Sequence, residues 1–209
     1  MPARSRTRTG RRALVALAAG LLAAGCSGPR AGREYLPLAV GNRWDYVVAT
    51  SDGAQERRRM AITGRLSADT FAATDGGEPG AWSWEDGFLS FQQGGSRAYL
   101  LMLPASPGVK WWTVTPEGAR VSCEVTGFAT VTTPAGVFPR CVEVLMETVG
   151  GRTEMRHWFA PGVGWVRHSS GPRGGRPWVV RYLVDYELRR PEPGAGAGTP
   201  PAARKRPPA

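Results

Sequence analysis

The chain has 209 residues, with 27 Lys and Arg against 17 Asp and Glu and a formal net charge of +10. The excess sits at the ends: residues 1–25 carry five arginines and no acid, the stretch from Arg189 onward has a net +4, and the span between them is left with +1. A near-neutral body offers no electrostatic footprint for a nucleic acid, and no Cys-x-x-Cys or histidine-rich spacing offers a metal or redox-thiol site.

Arg4, Arg6, Arg8, Arg11 and Arg12 precede the apolar run from Ala13 to Ala24, which Gly25-Cys26-Ser27-Gly28-Pro29 breaks. A transmembrane helix needs about 20 apolar residues and this run has about a dozen, so the order of basic and apolar regions reads as an export signal over residues 1–25. Within it, Leu22-Ala23-Ala24-Gly25-Cys26 resembles the cleavage and acylation site of bacterial lipoproteins, with Ala23 where Leu is more usual. That resemblance implies that Cys26 becomes the N-terminus and carries thioether-linked diacylglycerol and an amide-linked acyl chain such as palmitate. Several buried chains hold a protein on a membrane far more firmly than one. Ser27, in place of Asp, implies the outer membrane. An ordinary secretory signal cut near Gly25 is the alternative, and Arg11-Arg12 weakly resembles a twin-arginine signal.

Residues 26–34 read as an acylated N-terminus and linker. Removing the first 25 residues leaves 184, enough for one domain with a core of its own. From residue 35 the pattern is all-β: short runs of period 2, punctuated by Gly and Pro every 8 to 12 residues or so. Arg43 to Thr50 puts Trp44, Tyr46 and Val48 on one face, and Asp52-Gly53 suits the tight turn to its partner strand. In that partner, alternation lets only Arg57 and Arg59 of Arg57-Arg58-Arg59 share a face, as a solvated edge. Further strands are expected at Thr70 to Thr74, Ala81 to Glu85, Phe88 to Gln93, Ala98 to Leu103, Val109 to Thr115, Ala119 to Thr133, Phe138 to Val149, Thr153 to Ala160 and Val163 to His168. In the last strand Trp178, Val180, Tyr182, Val184, Tyr186 and Leu188 line one face, with Arg181, Asp185 and Glu187 on the other. The expectation is a single curved antiparallel sheet, a half-barrel or open barrel of about ten strands, over residues 35–189. Residues 190–209, Pro, Gly and Ala with basic Arg204-Lys205-Arg206, hold no large apolar residue and read as a disordered tail. Those basic residues could also contact the phosphates of lipid or cell-wall polymer.

Cys123 and Cys141 are the cysteines left after Cys26, and in an exported protein they are expected to form a disulfide. A loop of roughly 17 intervening residues would contribute about 3 kcal/mol. Register works against the pair. A hairpin centred on Ala135 sets Cys123 opposite residue 147 and Cys141 opposite residue 129, an offset that a bulge near Gly127 or a separate strand at 129–133 must absorb.

The chemistry-bearing inventory is thin. His157 and His168 flank the Pro161-Gly162 turn almost opposite each other, but two histidines with no carboxylate fixed nearby do not make a metal site. Ser169-Ser170 lacks a nucleophile elbow, so no catalytic residue and no cofactor is assigned. Eight tryptophans are a heavy load: they fill the concave core, or some line an apolar groove, Trp82, Trp84, Trp111 and Trp112 being the candidates. Adjacent Trp111 and Trp112 must point to opposite faces, so one is expected outside.

Three segments resemble one family. Leu36-Pro37-Leu38-Ala39-Val40-Gly41-Asn42-Arg43-Trp44-Asp45-Tyr46 is similar to a "PL..GN.W.Y" opening, Val131-Thr132-Thr133-Pro134-Ala135-Gly136-Val137-Phe138-Pro139-Arg140-Cys141 to "V..PAG.F..C", and Trp158-Phe159-Ala160-Pro161-Gly162-Val163-Gly164-Trp165-Val166 to "W.APGVG.V". Together they span residues 36–166, with Val137 standing where Thr is more familiar. These motifs occur in bacterial envelope lipoproteins of the domain-of-unknown-function and TapB-like groups. The resemblance implies a curved antiparallel sheet in the cell envelope and brings no catalytic residue. Physically, Pro134 and Gly136 set a turn that returns Phe138 to the core, and the Pro161-Gly162 hairpin brings Trp158 and Trp165 near each other. The resulting expectation is a lipid-anchored, non-enzymatic scaffold or binding module for an envelope protein or an apolar ligand. A carrier with an apolar cavity is the alternative and an envelope hydrolase a weaker one. A packed concave face favours the scaffold, an open aromatic one the carrier.

Overall fold

The computed structural model describes residues 32–115 and 118–189; Cys26, the export signal and the tail 190–209 lie outside the described residues. After a 3-10 turn at Arg33–Tyr35 come twelve strands: β1 Arg43–Thr50, β2 Gln55–Arg65, β3 Thr70–Asp75, β4 Glu78–Glu85, β5 Phe88–Gln93, β6 Ser96–Met102, β7 Lys110–Val114, β8 Arg120–Thr133, β9 Gly136–Thr148, β10 Thr153–Ala160, β11 Gly164–Pro172 and β12 Val179–Glu187. Tight turns leave each of the short apolar runs long enough to pair, so the count is twelve rather than about ten.

All twelve form one antiparallel sheet in the order β6-β5-β4-β3-β2-β1-β12-β11-β10-β9-β8-β7. Every neighbouring pair except β1–β12 is consecutive in sequence, so the sheet is an up-and-down meander that starts and ends at its own middle. It curls until its edges meet as a nearly closed barrel. Exposed edges invite pairing with other chains. Here the edges are clasped by side chains in place of a main-chain ladder: the Tyr99 N–H of β6 donates to Thr113 Oγ1 of β7 at 2.8 Å, and Trp111 Nε1 donates to the Tyr99 carbonyl at 3.0 Å.

The meander puts all odd-numbered connections at one end. At the other, called here the near end, lie the segment before β1 and the turns β2–β3, β4–β5, β6–β7, β8–β9 and β10–β11, and β12 finishes there. Residues 32–42 plug this end. Leu36 is fully buried, its carbonyl accepts from Trp84 Nε1 at 3.1 Å, and Trp44 Nε1 donates to the Val163 carbonyl at 2.7 Å. The β8–β9 arm runs past the end of β10 and reaches across, the Ala135 N–H donating to the Leu183 carbonyl at 3.4 Å.

Two face assignments differ from the alternation in the sequence. In β12, Arg181 and Leu183 are buried, whereas Tyr182 and Val184 are half-buried and Trp178 is exposed. The cause is a bulge: Asp45 pairs with Asp185 but Tyr46 pairs with Leu183, so Val184 is an extra residue that reverses the facing. A second bulge, between Trp158 and Phe159, pairs Trp158 with Arg167 and Phe159 with Trp165. Trp158 and Trp165 therefore lie on opposite faces, and Trp158 carries the Arg167 guanidinium 5.3 Å from its ring on the outside.

Candidate functional site

The four candidate tryptophans do not share a groove. Trp82 and Trp84 are buried on the inner face of β4, Trp111 is buried at the β6–β7 seam, and Trp112 is 56% exposed with the Arg120 guanidinium 4.9 Å from its ring. The opposite facing of Trp111 and Trp112 follows the pleat. The expected disulfide is absent: Cys123 and Cys141 are both free and buried. Cys123 pairs with Met146, and Cys141 pairs with Ala129, six positions along β8 from Cys123. At about 3.3 Å per residue that is roughly 20 Å, against a limit near 7 Å between Cα atoms of a bridge. The bulge beside Gly127 exists but moves the register by a single residue. Burial pushes the Cys123 thiol up to about 12 and the Cys141 thiol up to about 11, so neither is a ready nucleophile.

What the sheet does bring together is a polar cluster inside the barrel. His157 on β10 and His168 on β11 are directly paired, as their spacing about the turn suggested, with ring centroids 4.7 Å apart and planes at 86°. His168 in turn pairs with Arg181 on β12. The Arg181 guanidinium lies 3.9 Å from the Tyr46 ring and 4.7 Å from the Trp165 ring, and it forks onto the Asp75 carboxylate at 2.8 and 3.0 Å. Asp75 also accepts from Arg58 Nε at 3.0 Å. Arg58 thus turns inward at the rim, while Arg59 stays outside on Asp45 at 2.6 Å and Arg57 is exposed.

The electrostatics follow from burial. Burial would raise the Asp75 carboxyl, but hydrogen bonds and charge from Arg181, with Arg58 behind it, outweigh this and hold it below the usual carboxylate range. Burial and the nearby Arg181 lower His168 to about 4, while burial, His168 and Arg181 lower His157 well below its ordinary value. Burial pushes the Tyr46 phenol well above its ordinary value, and its hydroxyl donates to the Trp165 carbonyl at 2.8 Å. Both histidines are therefore neutral near pH 7, and the cluster keeps the two arginine charges against one carboxylate.

Trp165 is its hub, with Tyr46 at 6.2 Å, Trp82 at 6.3 Å, His157 at 5.2 Å, Phe159 at 6.3 Å and His168 at 5.7 Å between ring centroids. These are packing distances for aromatic pairs. Trp82 Nε1, Trp165 Nε1, both His157 nitrogens, His168 Nδ1 and Arg181 Nε are buried without a hydrogen-bond partner among the described residues, and the His157 ring and the Arg181 guanidinium lie against the Trp165 ring. N–H groups against π faces recover part of a lost hydrogen bond. The cluster aligns, among the described residues, no nucleophile with a base. Among the described residues no group of three or more His, Cys, Asp or Glu could hold a metal ion.

Sequence reasoning paired the histidines but missed Asp75, Arg181 and Trp165 as one unit. The available signal was Arg181 itself, a lone cation inside a strongly apolar strand. Outside the barrel, a groove of about 520 Å³ over β1, β2 and β12 is lined by Arg43, Asp45, Arg57, Arg59, Val184 and Asp185. Within it Arg43 pairs with Asp45 at 2.8 Å and Arg59 with Asp45 at 2.6 Å, and Arg43 also reaches Glu187 at 3.0 Å.

The described residues form a nearly closed up-and-down β-barrel, plugged at one end, with a buried apolar core and the Arg181–Asp75 cluster inside. Neither the protein-family models nor the curated proteins gave a match. Among solved structures the chain is similar to a candidate lipoprotein from Parabacteroides distasonis, at 12% identity over 73% of this chain and 98% of that one, with a TM-score of 0.46. It is also similar to a candidate exported protein with a YmcC-like fold from Bacteroides fragilis, at 16% identity over 72% of this chain and 97% of that one, with a TM-score of 0.47.

Proposed function

We propose that this chain is a non-enzymatic lipoprotein of the cell envelope, acylated at Cys26 and held at the outer membrane, whose barrel acts as a scaffold for an envelope partner. The address rests on the Leu22-Ala23-Ala24-Gly25-Cys26 segment and the export signal before it. The choice of scaffold over carrier rests on one observation, the ring-packed interior around Trp165 and the buried core that surrounds it. A carrier needs an open apolar cavity, of the few hundred Å³ that lipid-sized ligands occupy. A hydrolase needs titratable groups that substrate can reach, and Asp75, His157 and His168 are enclosed by side chains.

Mass spectrometry of the protein extracted from its own membranes tests the reading. The expected result is an N-terminal peptide starting at Cys26 with its acyl mass, no lipid retained by the barrel, and loss from the membrane fraction in Cys26→Ser. A stoichiometric lipid surviving delipidation would establish the carrier. An unacylated chain in the soluble fraction would overturn the anchor.

A further inference from the structure

Both ends of the described chain leave the barrel from its near end. β1 and β12 are neighbours with Arg43 opposite Glu187, and the buried Asn42 ties the two together: its Oδ1 accepts from the Arg189 N–H at 2.7 Å, and its Nδ2 donates to the Pro37 carbonyl at 2.7 Å. Gly32, where the described chain begins, lies against Leu103 of the β6–β7 connection at the same end. Cys26 precedes Gly32 by six residues, a reach of at most about 20 Å. Past Arg189 the sequence carries Arg190, Arg204, Lys205 and Arg206 against the single acid Glu192.

That end also exposes apolar side chains on separate elements: Val40 before β1 (47%), Leu66 after β2 (65%), and Phe128 (45%) and Val137 (64%) on the β8–β9 arm. The exposed Arg140 lies with its guanidinium 5.8 Å from the Phe128 ring. Of the acids there, Asp69 is paired with Arg33, Glu85 with Arg97 and Glu187 with Arg43, leaving the exposed Asp86 and the exposed Glu34, whose carboxylate accepts from the Gly32 N–H, against Arg140, Arg189 and the basic residues that follow in the sequence. The far end exposes Val114, Val149 and Trp178, but neither chain end leaves from it.

We propose that the near end of the barrel is a membrane-contact surface that seats on an anionic phospholipid bilayer, with Val40, Leu66, Phe128 and Val137 at the interface and Arg140 on lipid phosphates, the basic charge that follows Arg189 in sequence adding to the attraction. The proposal builds on the acyl anchor at Cys26 and deepens it. An anchor this close holds the near end at headgroup depth, where exposed apolar side chains leave water and cations meet a negative surface potential. The fold supplies the alignment, because the pairing of β1 with β12 brings residues 32–42 and Arg189, from which the tether and the basic tail continue in sequence, to one end.

The test uses the full acylated protein in vesicles of phosphatidylglycerol and phosphatidylcholine that contain a headgroup-nitroxide lipid. Leu66→Cys, Val137→Cys and, at the far end, Val149→Cys each carry one thiol-linked fluorophore, since native Cys123 and Cys141 are buried. Quenching at 66 and 137 at least twofold stronger than at 149 is the expected result; equal quenching, or stronger quenching at 149, overturns it. A second arm does not depend on acylation. The mature-length Cys26→Ser chain, which starts at residue 26 and so lacks the basic and apolar residues 1–25, is titrated with phosphatidylglycerol vesicles at low salt. Leu66→Glu with Val137→Glu should weaken binding several-fold, and Arg204→Ala, Lys205→Ala and Arg206→Ala together about tenfold or more. Val149→Glu should leave it unchanged. No binding by Cys26→Ser protein overturns the surface, whereas an unacylated native protein that still binds vesicles in this way overturns only the anchor.

Discussion

Arg181 is 7% exposed and Asp75 nearly as enclosed, and the pair is worth keeping only as a pair. Removing one member of a buried ion pair leaves the other charged and unpartnered, at a cost of about 3–5 kcal/mol, whereas replacing both by apolar residues is often neutral. Asp75→Leu, which strands the buried Arg181, should lower stability by that amount in urea denaturation; Arg181→Met should cost less, because Arg58 still pairs with Asp75, and the double variant should recover most of the Asp75→Leu loss. A double variant as unstable as Asp75→Leu would mean that Arg181 also matters to the rings of Tyr46 and Trp165. The histidines give a second prediction. His168 is lowered to about 4 in the folded state, against about 6.5 unfolded, so between those values the unfolded chain binds more protons. Its contribution is complete above pH 6.5 and is lost as pH falls toward 4, by about 3 kcal/mol, with His157 adding in the same direction. Thermal melts should fall steeply across this window, and His168→Phe should flatten the slope. By contrast, the 56%-exposed Trp112 should tolerate Ala with a change of about 0.5 kcal/mol or less, once its stacking on Arg120 is set aside.

Among the elements, the three motif segments turn out to be one assembly. The Trp44 and Tyr46 side chains of the first donate to the Val163 and Trp165 carbonyls of the third, and the Glu34 carbonyl just ahead of the first accepts from the Gly162 N–H at 2.9 Å. Phe138 of the second packs against Tyr186 of β12 at 6.2 Å. Gly164 has φ +116, and a Cβ there would sit 2.7 Å from Leu36 Cδ1 and 3.2 Å from Trp44 Nε1. Gly164→Ala should therefore lower stability by about 1–3 kcal/mol, measured by thermal melts, and loosen the plug. Asn42→Ala leaves the Pro37 carbonyl and the Arg189 N–H unpartnered, at about 1–3 kcal/mol in the same measurement. Amide exchange should report the loss first at the β1–β12 junction. The periodicity of β1 was legible because its inner face, Trp44 and Tyr46, is uniformly apolar. That of β12 misled because one bulged residue exchanges the faces midway, and a bulge leaves no mark on a run that is apolar at nearly every position.

For the whole molecule, the absence of a Cys123–Cys141 bridge means that stability comes from the packed interior and the edge clasp. Under non-reducing conditions the native barrel should react with Ellman's reagent negligibly, and in denaturant Cys123 and Cys141 should both react as free thiols. One modified thiol, or none, in denaturant would contradict the register of β8 and β9. A barrel clasped by side chains also predicts where it opens: Thr113→Val should speed exchange of the amides of β6 and β7 before those of β1 and β12.

The sequence by itself determined the all-β class, the strand runs and nearly all turns, and the paired histidines, because each is written in local chemistry: side-chain alternation and Gly and Pro placement. Only the tertiary structure decided that the edges meet, that β12 reverses its faces, that Arg181 is buried on Asp75, that Cys123 and Cys141 stay apart and that both ends of the described chain lie at one end of the barrel. Each of these depends on the register between strands distant in sequence, and register is set by how side chains fill a shared interior, a quantity no single strand encodes.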